Sequence, residues 1–537
     1  NPVIAGDFPD PSVIRVGADY YATTTTGGWA PHFPILHSRD LVNWRVKAYV
    51  FRRKPAWARG DFWAPEIIAD RGRFFVYYTA RRDEGPRRPG TLCVAVATAA
   101  APAGPYTDRG PLVCEIPELK NVGSIDAFFV RDERGRPFLI WKADGNDAEP
   151  DQPTSIFAQR LDESGTRLAG RRQEILRNTD AWEKHVTEGS YILRRGGYFY
   201  HFYSGNACCG RGCDYALGVA RARRLLGPWE KHPRNPILND NADWQCPGHG
   251  SIVQTPDGRY FMLYHSYRQR RGTFNVGREA LLDEITWGAD GWPVVNEGRG
   301  PTSVAPSPYN VAEVDDEADI FDDFTRAEID PAWQWPMLVN QSEYVDASDG
   351  LLVLTPYSNP RGDDVASAVL ARQTVSASYT AEARVHFGSA RAGLAAYSWR
   401  DAAVGISAGN GQFLVWRREG RERKIVETFG FKPPRSPFVH LRMTATDGET
   451  FRFAFSADGR DWTELGGAVD GRHVEGARLA LTAAGGPARF DWVRVRSAGM
   501  RIAECGLRTD ASTTFVNQSS SSGLLFNPQS AIVRSLR

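Results

Sequence analysis

Five times in the first half of the chain a turn glycine is followed by an alternating aromatic strand. The segments begin at Gly17 (Gly-Ala-Asp-Tyr-Tyr), Gly72 (Gly-Arg-Phe-Phe-Val-Tyr-Tyr), Gly135 (Gly-Arg-Pro-Phe-Leu-Ile-Trp), Gly197 (Gly-Tyr-Phe-Tyr-His-Phe-Tyr) and Gly258 (Gly-Arg-Tyr-Phe-Met-Leu-Tyr), with spacings of 55, 63, 62 and 61 residues. Aromatic and β-branched residues bounded by turn formers predict strands. Five units of about 60 residues, each a meander of short strands, fit a five-bladed β-propeller, whereas solenoid repeats are shorter. Beyond Trp287 the pattern changes. A Gly- and Pro-rich stretch leads to an acidic run at 315–323 and then to period-two segments such as 351–356, 379–387 and 440–456. These predict an antiparallel β-sandwich. The expected organisation is a propeller over 1–300, a linker over 301–320, a sandwich over 321–500 and a Ser-rich extension over 501–537 without an assigned role.

Counting nine residues back from the turn glycine reaches Trp63, Asp126, Glu188 and His249, and counting seven back in the shorter first unit reaches Asp10. Each opens a hydrophobic run, so the expectation is one side chain per blade at one register, converging on the axis. A single polar residue at a strand start is ordinarily a solvated cap. Three carboxylates at one register are not, because like charges brought together raise one another's pKa and destabilise the fold unless they are used. Glycoside hydrolysis uses such a set: an acid that protonates the leaving oxygen, and a carboxylate on the opposite face of the sugar. A third carboxylate can keep the acid protonated.

Charge narrows the partners. Lys and Arg number 65 against 64 Asp and Glu, leaving +1, without the excess that nucleic acid or a polybasic membrane contact requires. No stretch reaches 18 apolar residues, so no membrane-spanning helix is expected. The 16 Trp, 19 Tyr and 27 Phe supply flat apolar faces suited to sugar rings. Of seven cysteines, Cys208, Cys209 and Cys213 crowd one loop, predicting a local disulfide there and an oxidising compartment. The start at Asn1 has the look of a mature secreted form, and Asn340 and Asn517 head sequons, so an extracellular location is expected. The Asp144–Asp147 stretch reads as a solvated turn rather than a calcium loop. Gly-x-Ser-x-Gly and His-Glu-x-x-His motifs are absent.

The segments around Asp10 (NPVIAGDFPDPSVI), Trp63 (FWAPEI), Asp126 (GSIDAFFV), Glu188 (TEGSYIL) and His249 (GHGSIV) together resemble glycoside hydrolase family 43. The resemblance covers residues 1 to about 300. It implies Asp10 as general base, Glu188 as general acid, and Asp126 as the residue that tunes and orients the acid. Trp63 is expected to stack on a sugar, with Phe33 and Phe129 walling the pocket, and Arg278, in NVGREA, matches an Arg that in this family reaches the bound sugar. The resemblance implies no required cofactor, and an axial structural Ca²⁺ or Na⁺ ion touched by His249. The stretch 321–336 resembles the start of the concanavalin-like jelly-roll module of family 43 β-xylosidases and arabinofuranosidases. The expected activity is an exo-acting, inverting α-L-arabinofuranosidase on plant cell-wall arabinoxylan or arabinan, acting as a monomer. A β-xylosidase is the alternative, and a non-catalytic sugar-binding propeller the alternative of another class.

Overall fold

The computed structural model describes residues 1–497 except 86–89, 120–121, 147–153, 310–318, 327, 338–342, 348–349, 357–364, 421 and 433–435. The expectations for Asp147, Asn340, Asn517 and the extension 501–537 lie outside the described residues. Among the described residues the regular secondary structure is nearly all strand; the helical pieces are Thr273–Val276 and two short 3-10 turns. None of them is long and apolar enough to cross a membrane.

Residues 12–295 form five four-stranded antiparallel sheets, each a meander in chain order. Their first strands are Ser12–Val16, Ala58–Asp70, Gly123–Arg131, Thr187–Arg195 and Trp244–Gln254. Consecutive first strands pack on one another, and that of the fifth sheet packs on that of the first. The sequence repeat explains why. Every repeat glycine sits at positive φ (65°, 77°, 76°, 79° and 90° in chain order) in the turn joining first strand to second, a conformation that side chains with a Cβ resist. The aromatic strand that follows then carries its rings to both faces, and a separate apolar cluster fills each gap between neighbouring sheets. Phe33, Phe62 and Tyr78 lie between sheets one and two; Phe75, Tyr77, Phe129 and Trp141 between two and three. Val13, Tyr20, Val253, Phe261 and Leu263 close sheet five on sheet one.

The second half is a two-sheet sandwich. An eight-stranded sheet, built on Tyr379–His386, Phe438–Thr446 and Ala488–Ser497, faces a six-stranded sheet built on Arg391–Ser398, Ala402–Gly409 and Arg478–Ala484. Strand Tyr379–His386 alternates strictly between buried and half-buried positions, as one face packed on a core requires. The outer face of the six-stranded sheet packs on the first half through Trp29, Val369, Tyr397 and Trp416. There the short strand Trp335–Pro336 pairs with Trp29–Ala30.

Candidate active site

The first strands of sheets two to five share one irregularity. The ladder to the second strand breaks between Trp63 and Glu66, Ile125 and Phe128, Glu188 and Tyr191, and Gly248 and Ser251. Each break holds a residue at positive φ: Ala64 (43°), Asp126 (54°), Gly189 (60°) and His249 (49°), matched in sheet one by Asp10 (53°). Such bulges re-aim a side chain at the cost of ladder hydrogen bonds. The freed N–H groups find partners on the preceding sheet. Ala64 donates to Thr25 Oγ1 (2.6 Å), Asp126 to Thr79 Oγ1 (3.2 Å), His249 to Ser204 Oγ (2.9 Å) and Asp10 to His265 Nδ1 (3.1 Å). Gly189 donates to the Asp126 carboxylate itself (2.9 Å).

This pattern corrects the count made on sequence. The structural equivalents of Asp10, Asp126 and His249 are Ala64 and Gly189; Trp63 and Glu188 stand one residue earlier. The cause is turn length. Sheets two and four turn on two residues, Arg71-Gly72 and Gly196-Gly197, whereas sheets three and five turn on five, 132–136 and 255–259. The displacement brings Glu188 to the carboxylate cluster from beside the bulge, and Gly189 leaves room for His249. A Cβ on Gly189 would lie 3.1 Å from that imidazole.

The side chains form one charged network. Asp10 Oδ2 accepts from the Thr25 hydroxyl (2.7 Å), while its Oδ1 faces Arg278 Nη1 (3.2 Å) and His249 Nδ1 (3.3 Å). Burial pushes the Asp10 carboxyl up, but these cations outweigh it and hold the group well below the usual carboxylate range. Asp10 is therefore an ionised, buried carboxylate. His265 Nδ1 takes the Asp10 N–H on its lone pair, so its proton sits on Nε2. Its 3.2 Å approach to Asp10 Oδ1 is then not a hydrogen bond, and burial keeps this ring neutral, near a pKa of about 4. Asp126 is pushed up to about 6, by burial first and by the neighbouring Glu188 and Asp10 charges, against the pull of His249. Glu188 is raised by burial and lowered further by the Lys142 ammonium, whose Nζ donates to Oε2 at 2.6 Å. The Tyr215 hydroxyl donates to its Oε1 at 3.0 Å. Arg278 is aimed at Asp10 by its own backbone, whose N–H donates to Asp7 (3.1 Å). Gly277 before it, at φ 104°, has no space for a Cβ, which would lie 2.5 Å from Asp7.

His249 differs from the expectation of an ion contact. Burial lowers its pKa, but Asp126 and Asp10 reverse that and raise it to about 9. A protonated imidazole has no lone pair for a cation, so His249 stands as the charge partner of two carboxylates. Among the described residues no group of three or more carboxylate, His or Cys side chains is arranged to hold a metal. Phe33 and Phe129 do not wall a pocket. Phe33 is fully buried against Phe51, Phe62 and Tyr78. Phe129 stacks on Phe75 and Tyr77 at 6.4 and 6.0 Å. Both rings are intersheet core. Trp63 is half-buried, which leaves a face for a ligand.

Sequence reasoning missed Lys142, Tyr215, Thr25, His265 and Glu66. Only Lys142 carried a signal, a lone charge in the apolar run Phe138-Leu-Ile-Trp-Lys142. Glu66, buried two residues beyond Ala64, is pushed up to about 8 by burial, against a bond from Ser12, and so is neutral at pH 7. The crowded cysteines pair as Cys208–Cys209 and Cys213–Cys246, with Cys93–Cys114 elsewhere. The loop disulfide thus joins adjacent residues, and Cys213 leaves the loop to tie the segment of Tyr215, which leads into strand Ala216–Ala222, to the strand bearing His249.

An ionised buried carboxylate, a second with its own donors and a third of raised pKa, brought together from the first strands of these sheets, are the kind of set that glycoside hydrolysis can use. The comparisons identify the family. The model for glycosyl hydrolases family 43 matches residues 1–293, and that for the beta xylosidase C-terminal concanavalin A-like domain matches 321–496. The chain belongs to glycosyl hydrolases family 43. It is 33% identical over 317 residues to a xylosidase/arabinosidase 43B of Humicola insolens, a match spanning 56% of this chain and 56% of that protein. Over most of both chains it is 26% identical to a putative beta-xylosidase of Escherichia coli (86% and 90% covered) and to a non-reducing end alpha-L-arabinofuranosidase of Bacteroides ovatus (92% and 94%). The solved structure of the BlXynB protein of Bacillus licheniformis superposes with a TM-score of 0.76 at 25% identity, covering 93% of this chain and 99% of that one.

Proposed function

We propose that the five sheets are the blades of a propeller, and that its site removes terminal α-L-arabinofuranosyl residues from arabinoxylan or arabinan with inversion. The observation that carries the chemistry is the unequal state of the three buried carboxyls. Asp10 is held ionised by Arg278 and His249 and serves as the base that activates water. Glu188, on the first strand of sheet four, protonates the leaving oxygen. Asp126, of raised pKa and bonded to the N–H of Gly189, positions that acid and restrains its charge. Arg278 orients the sugar against Asp10, and Trp63 offers it an apolar face.

The arabinofuranosyl reading draws on the likeness to the Bacteroides protein over nearly the whole chain. The likeness to the Escherichia protein favours xylose release as the second reading. Three disulfides support an extracellular place of action, and the enzyme is proposed to act as a monomer. The test is sugar release from wheat arabinoxylan, linear arabinan and xylo-oligosaccharides. Arabinose as the main product supports the first reading and xylose from xylo-oligosaccharides transfers it to the second. Folded protein that releases neither is a binding propeller.

A further inference from the structure

Glu188 holds a donor on each oxygen, Tyr215 on Oε1 and Lys142 on Oε2. A general acid must carry a proton of its own on the oxygen that faces the leaving group. An ammonium donates only and cannot accept that proton's bond, so Lys142 on Oε2 favours the ionised carboxylate over the protonated acid. Lys142 is buried, at the Ile125 position of the adjoining strand in sheet three. Its other two N–H bonds go to Asn146 Oδ1 (2.8 Å) and Asp144 Oδ1 (3.2 Å). Those partners give the ammonium a place to stay, still charge-balanced, when it lets go of Glu188.

We infer that Lys142 is a latch on the acid: it keeps Glu188 an ionised carboxylate in the empty enzyme and is displaced toward Asp144 and Asn146 when the sugar binds. This rests on the glycosidase reading above and adds a regulation of the same site. On binding, Glu188 takes one proton from solvent. That proton passes to the glycosidic oxygen as the bond from the anomeric carbon breaks with its electron pair on that oxygen. Water adds to the anomeric carbon and gives its proton to Asp10, which releases it to solvent. Glu188 is left ionised, and Lys142 closes on it again. Lys142 touches the acid and not the reacting atoms, so it is a positioning residue.

The latch separates two pH profiles. The alkaline limb of kcat/KM reports the acid in the free enzyme, and that of kcat the acid with sugar bound. In the wild type, on a natural oligosaccharide that it cleaves, the kcat/KM limb is expected to lie lower than the kcat limb by about one pH unit or more, a tenfold change in proton affinity. In Lys142→Met the kcat/KM limb is expected to rise and the gap to close; Lys142→Arg should keep it. Coincident limbs in the wild type overturn the latch and leave the glycosidase reading intact, and that measurement needs no variant to fold. A gap that persists in Lys142→Met also overturns it. Absence of hydrolysis at every pH overturns both readings.

Discussion

Replacing Asp126 by Asn should make the enzyme slower and the fold more stable, and the pH dependence of the gain follows from the structure. The Asp126 carboxyl moves from an ordinary 3.8 to about 6 in the buried network. Its folded pKa thus exceeds its unfolded one, and between the two values the native state holds more protons than the unfolded chain. Stability then falls as pH rises through that window and stays lower above it. At about 1.36 kcal/mol per pKa unit, the roughly 2-unit difference is worth about 3 kcal/mol. Asn does not titrate and escapes that loss. It also deprives His249 of a partner, which returns part of the gain, so a net benefit of about 1–3 kcal/mol is expected at pH 7.5 relative to pH 4. Scanning calorimetry of both proteins at the two pH values reads this directly. For a domain of this size, about 2–4 °C per kcal/mol applies, so the melting difference should widen by several degrees at pH 7.5 while kcat falls at least about tenfold. An equal difference at both pH values, or a variant less stable at pH 7.5, would refute the placing of Asp126 in a desolvated, like-charged cluster.

The remaining predictions concern the base, the core and the staple. Arg278→Met removes the cation nearest Asp10, so the base protonates at higher pH and the acidic limb of kcat/KM should shift upward; an unmoved limb contradicts the pairing. Phe33→Ala should cost about 3–5 kcal/mol in urea unfolding yet leave KM within about threefold at temperatures where the variant is folded. A large rise in KM with unchanged stability would return Phe33 to the pocket wall. Cys213→Ser with Cys246→Ser opens a link across 33 residues and should cost about 3–4 kcal/mol, with a loss of kcat because Tyr215 and His249 flank the two sulfurs. Unchanged stability would mean that the unfolded chain gains nothing from the staple.

The sequence repeat carried the strands because a hairpin glycine and an alternating aromatic strand are local signals. The carboxylates were visible for the same reason: a charge that opens an apolar strand stands out against it. What escaped was set by neighbours far along the chain. The one-residue offset of Trp63 and Glu188 depends on hairpins of different length, which a fixed count of nine overlooks. Phe33 and Phe129 stand beside residues that line the site, yet each points into the gap between sheets. Lys142 meets Glu188 across 46 residues, and Cys213 meets Cys246 across two strands. His249 looked like an ion contact because a single imidazole in sequence shows nothing of the two carboxylates that protonate it.

The central claim is that Asp10 activates a water on the face of the sugar opposite the acid Glu188. Proton NMR of the sugar released by the wild-type enzyme, recorded before mutarotation, tests it most directly. The account predicts that the first anomer to appear has the configuration opposite to that of the bond cleaved, with the other growing in only as solution equilibrates. First appearance of the same anomer as the substrate would require a covalent intermediate on one of the carboxylates and would contradict the account.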